Sequence, residues 1–213
     1  MRLEEQLMQD LRDAFADAEA MEKRSSLLHT KLNVIPINQL RYAGFHTLKA
    51  YKGDGNWDEK ELEKAINHCK RAHCDALDSV VAYLIACCTE FAKTYMGKPE
   101  VLAVIPDYNA RLTELDEAKR ILYGFLVTRK HGEEDSEVDH YNLEIREKQI
   151  NALSPYIDKL AETHNLFLMA SPTIDALLKN KEMEKEGEKR LLWCVALGGA
   201  VLTWLLTYLT VKQ

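Results

Sequence analysis

A run of 21 residues without a charged side chain, LLWCVALGGAVLTWLLTYLTV at positions 191–211, sets the strongest limit on this fold. At about 1.5 Å of rise per residue, a helix of this length covers roughly the 30 Å hydrocarbon thickness of a bilayer. Trp193 and Tyr208 lie near its ends, where aromatic rings favour the headgroup region, and Lys189 and Arg190 flank its N-terminal side. The run predicts a single transmembrane helix, a tail anchor with the preceding domain in the cytoplasm. The alternative is an uncharged core helix of a soluble protein.

Small and weakly polar residues share one face of this predicted helix. At spacings of three and four they form a stripe made of Ala196, Ala200, Thr203, Thr207 and Thr210, with Gly199 beside them. Small residues let helices approach closely, and threonine hydroxyls can bond across a helix interface in lipid. In a ring of such helices the same threonines could line a wet channel. Three interpretations stay open, namely a plain anchor, a tight oligomer and a pore.

The rest of the chain repeats apolar residues at helical spacing, and period-two alternation is scarce. We therefore predict an all-α fold, a cytosolic helical bundle followed by a stalk and the transmembrane helix. The helices are expected over about 2–32, around 41–51, and over 59–96, 107–131 and 139–170. Pro36 is expected to stop the first helix, and Asp58 to cap the third. The stretch from Val80 to Phe91 is the expected centre of the core.

The predicted domain organisation has three parts: a helical domain over 1–170, a charged stalk over 171–190, and the membrane helix over 191–211. The fifth helix is expected to bend at Pro155 and to end at Ala170-Ser171-Pro172. KGDGNW is rich in turn-forming residues, and HGEEDSEVD has the composition of a flexible loop.

Composition excludes some functions. The formal charge of −6 and pI near 5.7 argue against a nucleic-acid footprint over the whole protein, although a local basic patch is compatible with them. The five cysteines are odd in number and have no small-scaffold spacing, so we expect reduced thiols and no structural disulfide. The N-terminus is acidic and amphipathic, unlike a secretory signal.

Arg41 and His46 lie five residues apart in RYAGFHTLKAY. Histidine can act as general acid or base near neutral pH, and arginine can hold a phosphate and the charge that develops on it. The pair is therefore a candidate catalytic site for RNA cleavage. Arg24 and His29 have the same spacing. The alternative is that these are polar residues on the shoulder of a helix core.

RYAGFHTLKAY resembles the helix of HEPN-type domains that typically reads tyrosine-tyrosine-alanine-x-phenylalanine-histidine-x-x-x-x-alanine-leucine. The matching residues are Tyr42, Ala43, Phe45, His46 and Ala50. HCKRAHCDALD is similar to the arginine- and aspartate-bearing helix of such domains, so the resemblance covers about residues 20 to 130. It implies an all-α domain that is either a metal-independent RNase, with an arginine-x(4 to 6)-histidine motif acting across a dimer interface, or a catalytically silent binding module. Some CRISPR-associated and abortive-infection members of the family are membrane-bound.

HCKRAHCD, residues 68–75, gathers two histidines and two cysteines. On a helix, Cys69 and His73 share one face at a spacing that metals can use, but no second cluster of suitable spacing completes a zinc site. We therefore expect no metal and no cofactor. A second set, formed by His68, Arg71 and Asp75, is predicted to be a polar network facing RYAGFH. If a small-molecule or RNA pocket exists, we expect it between those two helices.

Three functions remain open. The first, which we favour, is a membrane-anchored helical effector that oligomerises through its domain and its transmembrane helix, in prokaryotic antiviral defence by perturbing the bacterial inner membrane. The second is a scaffold or adaptor on a membrane surface, and the third is a tethered HEPN-type RNase. The expected partners are the lipid bilayer, further copies of this chain, and RNA or a defence-system protein.

Overall fold

The computed structural model describes the backbone of residues 3–28, 33–53, 55–132 and 139–211, with side chains up to 128 and from 144 to 200. The elements are α1 (Leu3–Leu28), α2 (Val34–Ala50), β1 (Tyr51–Gly53), β2 (Asn56–Trp57), α3 (Glu59–Thr94), α4 (Glu100–Val104), α5 (Tyr108–Gly132) and α6 (Asp139–Val211). The prediction of an all-α fold is confirmed, with one small hairpin inserted between α2 and α3.

The sequence predicts that Pro36 stops the first helix, whereas in the structure Pro36 occupies the first turn of α2 and is buried there. The first N–H groups of a helix have no acceptor within the helix, so a proline at this position loses little and its fixed φ suits the helix. Within the described residues, α1 ends at Leu28, and the remainder of the expected first helix lies outside them.

The described residues of the stretch KGDGNW belong to a hairpin. β1 and β2 pair in antiparallel fashion, with Tyr51 opposite Trp57 and their ring centroids 5.2 Å apart. Gly53 and Gly55 have φ of 91° and 77°, which only glycine adopts without strain. The two strands, three and two residues long, are too short for alternation to reveal them. The hairpin returns the chain at the end of α2 directly into α3.

The chain divides into two compact units, of which the first contains Met1–Met96 and Asn109–Phe167. α1, α2 and the first half of α3 share a core there, built from Leu11, Ala18, Ala43, Ala50, Leu62, Ala65, Ile66, Cys69 and Ala72. The second half of α3 is buried as predicted, through Val80, Val81, Leu84, Ile85, Cys88 and Phe91. The ring of Phe91 stacks on Phe167 of α6, with centroids 4.1 Å apart and an interplanar angle of 14°.

α6 runs from Asp139 to Val211 and contains both Pro155 and Pro172, so the predicted end at Ala170-Ser171-Pro172 is wrong. A proline inside a helix removes one backbone hydrogen bond and costs about 3 kcal/mol. Leu153 and Ile157, on either side of Pro155, are both buried. Burial of this face offsets the cost of the proline, because most helix stability in proteins comes from tertiary packing.

The second unit contains Gly97–Tyr108 and Leu168–Gln213. Val101, Ile105 and Ile174 are buried in it, and Lys181 Nζ lies 2.5 Å from Glu100 Oε1. From 179 to 200, every residue of α6 is exposed.

Within the described part of the chain, we find no helix whose length and apolar character would let it cross a membrane. The predicted span over 191–211 and its stripe fall partly outside the described side chains. Ala196, Gly199 and Ala200 lie on the exposed part of α6, while the side chains of Thr203, Thr207 and Thr210 are beyond the described ones.

Candidate functional site

His46 of α2 and Glu61 of α3 form the centre of a polar cluster. His46 Nδ1 lies 2.7 Å from Glu61 Oε2, and the side chains are only 17% and 13% exposed. The cap of α3 places Glu61, because Asp58 Oδ1 accepts hydrogen bonds from the backbone N–H groups of Lys60 and Glu61 at 3.0 and 3.3 Å. The Asp58 cap was predicted from the sequence and is confirmed.

Two lysines flank the Glu61 carboxylate. Lys64 Nζ is 2.8 Å from Oε1, and Lys49 Nζ is 3.5 Å from Oε2. The hydrogen bonds from Lys64 and His46, together with the charge of Lys49, lower the pKa of Glu61 from 4.5 to about 2. Glu61 is therefore an anion at neutral pH and can only accept, so His46 Nδ1 carries a hydrogen and donates it. In the neutral imidazole, Nε2 is then the nitrogen that can take up a proton.

A second histidine lies against the first. The rings of His46 and His68 are stacked, with centroids 5.2 Å apart and an interplanar angle of 12°. His68 Nδ1 is 2.7 Å from Gln39 Oε1 on α2. Each imidazole thus has one nitrogen held by a neighbouring side chain, and the two rings form a fixed pair between α2 and α3.

Arg41 reaches this pair through an aromatic side chain. Its guanidinium carbon is 5.1 Å from the ring centroid of Tyr42, and that ring is 5.5 Å from the ring of His68. On the other side of the pair, Phe45 meets His46 edge to face, and Lys49 Nζ lies 5.5 Å from the Phe45 centroid. The histidine pair therefore has one exposed aromatic ring on each side, Tyr42 and Phe45. A cation lies beside each of these two rings, Arg41 beside Tyr42 and Lys49 beside Phe45.

The residues predicted to form one pocket, His68, Arg71 and Asp75, are oriented to different neighbours. His68 contacts α2, whereas Asp75 Oδ1 accepts a hydrogen bond from Arg146 Nη1 of α6 at 2.9 Å. Although burial disfavours the charged form of Arg146, the charge of Asp75 raises its pKa above the ordinary value. Arg71 lies between them on α3 and is half-buried. The structure thus joins His68 to the predicted catalytic residues and joins Asp75 to α6.

Asp75 belongs to a second polar cluster, between α3 and α6. Gln149 of α6 is fully buried, and its amide contacts both Cys74 Sγ, at 3.6 Å, and the carboxylate of Asp78. Arg146 and Gln149 carry no signal in the sequence, because they lie about 71 residues from their partners. Glu61 was also missed, yet it is the third residue after a predicted cap, and the short hairpin brings that position back to the end of α2.

Arg24, of the second arginine–histidine pair, and the metal candidates Cys69 and His73 lie outside the polar cluster around His46. Arg24 Nη2 is 2.8 Å from Asp158 Oδ1, while His29 lies outside the described residues. Burial raises the pKa of the Cys69 thiol to about 11 and lowers the pKa of His73, against the opposing charge of Asp17. Among the described side chains, no three histidine, cysteine or acidic groups are close enough to hold a metal ion.

Comparison with protein-family models, with curated proteins and with solved structures finds no match for this chain.

Proposed function

We propose that this protein is a membrane-anchored helical module that self-associates, with residues 191–211 as its membrane segment. The proposal depends on one observation above all. The large apolar side chains at the start of this segment are 61–70% exposed, namely Leu191, Leu192, Trp193, Val195 and Leu197. A contiguous apolar surface of this kind costs about 25 cal/mol for each Å² left in water, so a partner of low polarity is expected to cover it.

Lipid fits this surface better than one partner helix does. Successive residues of a helix are about 100° apart, so side chains at 191, 192, 193, 195 and 197 point to all sides. A helix packed on the surface of a protein is apolar along one stripe, whereas a helix that is apolar all round belongs in a core or a membrane. The exposed charged stretch over 179–190 then separates this segment from the cytosolic helices.

The experiment is flotation of the full-length protein with lipid vesicles through a density gradient. We expect wild-type protein to float, and the double variant Val195→Arg/Leu197→Arg to stay at the bottom, because each arginine in the hydrocarbon costs about 3 kcal/mol. Asn180→Arg, with the same kind of substitution in the charged stretch, is the control and should float. Wild-type protein that stays with the soluble fraction would overturn the proposal.

The effector role in prokaryotic antiviral defence, through perturbation of the inner membrane, is part of this proposal. The stripe of small residues that begins with Ala196, Gly199 and Ala200 supports the close helix association that such perturbation would require. Release of a dye from loaded vesicles is expected on addition of the full-length protein, and Ala196→Leu should reduce it by blocking close helix contact. Flotation without dye release would favour the scaffold or adaptor role instead.

Cleavage of RNA is a second candidate function, favoured by the contact between His46 and Glu61. A carboxylate that fixes the Nδ1–H tautomer leaves Nε2 to accept the proton of a ribose 2′-hydroxyl. In this scheme the stacked His68 is the group that returns a proton to the leaving oxygen, and Arg41 is the cation for the phosphate. No metal is needed in this scheme.

The RNase proposal is tested with purified protein and a fluorescent single-stranded RNA. His46→Ala and Arg41→Ala should each abolish cleavage, since one removes the base and the other the phosphate contact. His164→Ala is the matched control, because that histidine lies against Tyr83 on α3, and full activity should remain. Equal cleavage rates for wild type and His46→Ala would exclude this role.

A further inference from the structure

An apolar groove runs between α1 and α2, on the surface of the first unit. Its volume is about 570 Å³. Ala16 and Gly44 contribute almost no side chain to it, while Phe15 and Leu48 stand 39% and 80% exposed. The remaining lining residues are Met8, Leu11, Arg12, Glu19 and Thr47. This groove involves neither the histidine pair nor the segment proposed to enter the membrane.

The size and composition of the groove suit a protein side chain or helix. Two small residues, Ala16 on α1 and Gly44 on α2, allow another backbone to approach closely, and nothing lies within 4 Å of where a Cβ on Gly44 would be. Phe15 and Leu48 offer large apolar side chains beside the depression. A surface that carries both a cavity and a projecting ring can be complementary to itself, as the interface of a two-fold dimer requires.

The charges on α1 identify the occupant. Arg12 and Glu19 both line the groove, seven residues apart, which is about 10.5 Å along the helix. Antiparallel pairing of two α1 helices about an axis midway between Phe15 and Ala16 places Arg12 of each copy opposite Glu19 of the other. The same axis places the ring of Phe15 opposite the small side chain of Ala16 in the partner. A parallel arrangement would instead oppose like charges.

We infer that this groove is where a second copy of the chain docks, with paired α1 helices antiparallel, Phe15 of each copy filling the partner's groove and Arg12 facing the partner's Glu19. The inference rests on the self-association in the proposed function and is independent of the membrane segment. Glu19 also pairs with Lys23 one turn further along at 3.1 Å, but both side chains are about half exposed or more, and such pairs contribute little.

The test uses full-length protein in mild detergent, with two differently tagged copies co-expressed and co-captured. Arg12→Glu and Glu19→Arg should each reduce homotypic capture at least about tenfold, because each variant opposes two like-charged pairs at the interface. Mixing the two variants restores both attractive pairs, so Arg12→Glu should capture Glu19→Arg about as well as wild type captures itself. Asp13→Arg, an exposed α1 position outside the groove, is the charge-matched control.

A second variant tests the apolar part of the interface. Leu48→Gln alters a side chain that is 80% exposed, so the fold should be retained, as far-UV circular dichroism of each variant will check. Capture should fall about tenfold because an apolar contact at the interface is lost. Equal capture by wild type, Arg12→Glu and Leu48→Gln would overturn the inference.

The two proposals fail in different ways. Association through the membrane segment does not depend on the sign of the charges at 12 and 19. If wild type and the charge variants are captured equally and the protein floats with vesicles, the membrane anchor is supported and this interface is excluded. Charge-dependent capture by a protein that does not float would establish this interface and remove the anchor. Capture equal to wild type between the two charge variants is the result that no nonspecific loss of folding can produce.

Discussion

Asp75 offers a direct test of whether the predicted polar pocket is a binding site or a structural ion pair. Asp75 Oδ1 and Arg146 Nη1 are 2.9 Å apart, and the two side chains are 17% and 15% exposed. Asp75→Asn keeps the size of the side chain but removes its negative charge. The guanidinium of Arg146 then stays largely buried without the carboxylate that offsets its desolvation.

The burial of the pair sets the expected magnitude. Removing one partner of a buried ion pair costs about 3–5 kcal/mol, whereas an exposed pair contributes about 0–1 kcal/mol. With about one sixth of each side chain accessible, we expect Asp75→Asn to lower the free energy of unfolding by about 3 kcal/mol. For a chain of this size, that corresponds to a fall in melting temperature of roughly 6–12 °C.

The assay is urea unfolding in mild detergent, followed by far-UV circular dichroism. The double variant Asp75→Leu/Arg146→Met replaces both charges by apolar groups and should recover at least half of the loss. If Asp75→Asn unfolds within about 0.5 kcal/mol of wild type, the ion pair is not structural. Asp75 would then be available for the predicted binding site.

Three further perturbations have expected outcomes. Lys64 and His46 hold the pKa of Glu61 at about 2, so its carboxylate stabilises the fold above about pH 4.5 and this contribution is lost as the pH falls toward 2. In Glu61→Gln, the free energy of unfolding measured in urea should therefore change less between pH 4.5 and pH 2 than it does in wild type. Burial raises the thiol pKa of Cys69 to about 11 and of Cys88 to about 12, so at pH 8 mass spectrometry should find both alkylated by iodoacetamide only after unfolding in urea. Gly97 has φ of 71°, and Gly97→Ala should lower the free energy of unfolding by about 1 kcal/mol in a thermal melt.

Local patterns predicted much of the helical fold. Asp58 is a cap because its side chain bonds to N–H groups two and three residues away, and such contacts depend on sequence neighbours alone. The buried face from Val80 to Phe91 was likewise visible as helical periodicity. Pro172 misled the prediction because its cost is local, while the burial of Ala170 and Ile174 beside it depends on tertiary packing.

The candidate site likewise has a part that local sequence predicts and a part that depends on tertiary contacts. Arg41 and His46 were found because they lie on one helix at a known spacing. The partners Gln39 and Glu61 could not be assigned without knowing that the hairpin brings α3 back beside α2. Arg146 could not be predicted as the partner of Asp75, because the two residues are 71 positions apart and no periodicity links them.

The start of α3 and the orientation of His46 are physically linked. A glutamate three residues after a helix cap commonly folds back onto the backbone N–H of the capping residue. Here the N–H of Asp58 donates instead to the carbonyl of Ala50 at 2.7 Å, so Glu61 is released from that task and its carboxylate reaches His46. The hairpin therefore does more than reverse the chain: by bringing the N–H of Asp58 to the carbonyl of Ala50 at the end of α2, it leaves the cap glutamate to fix the imidazole.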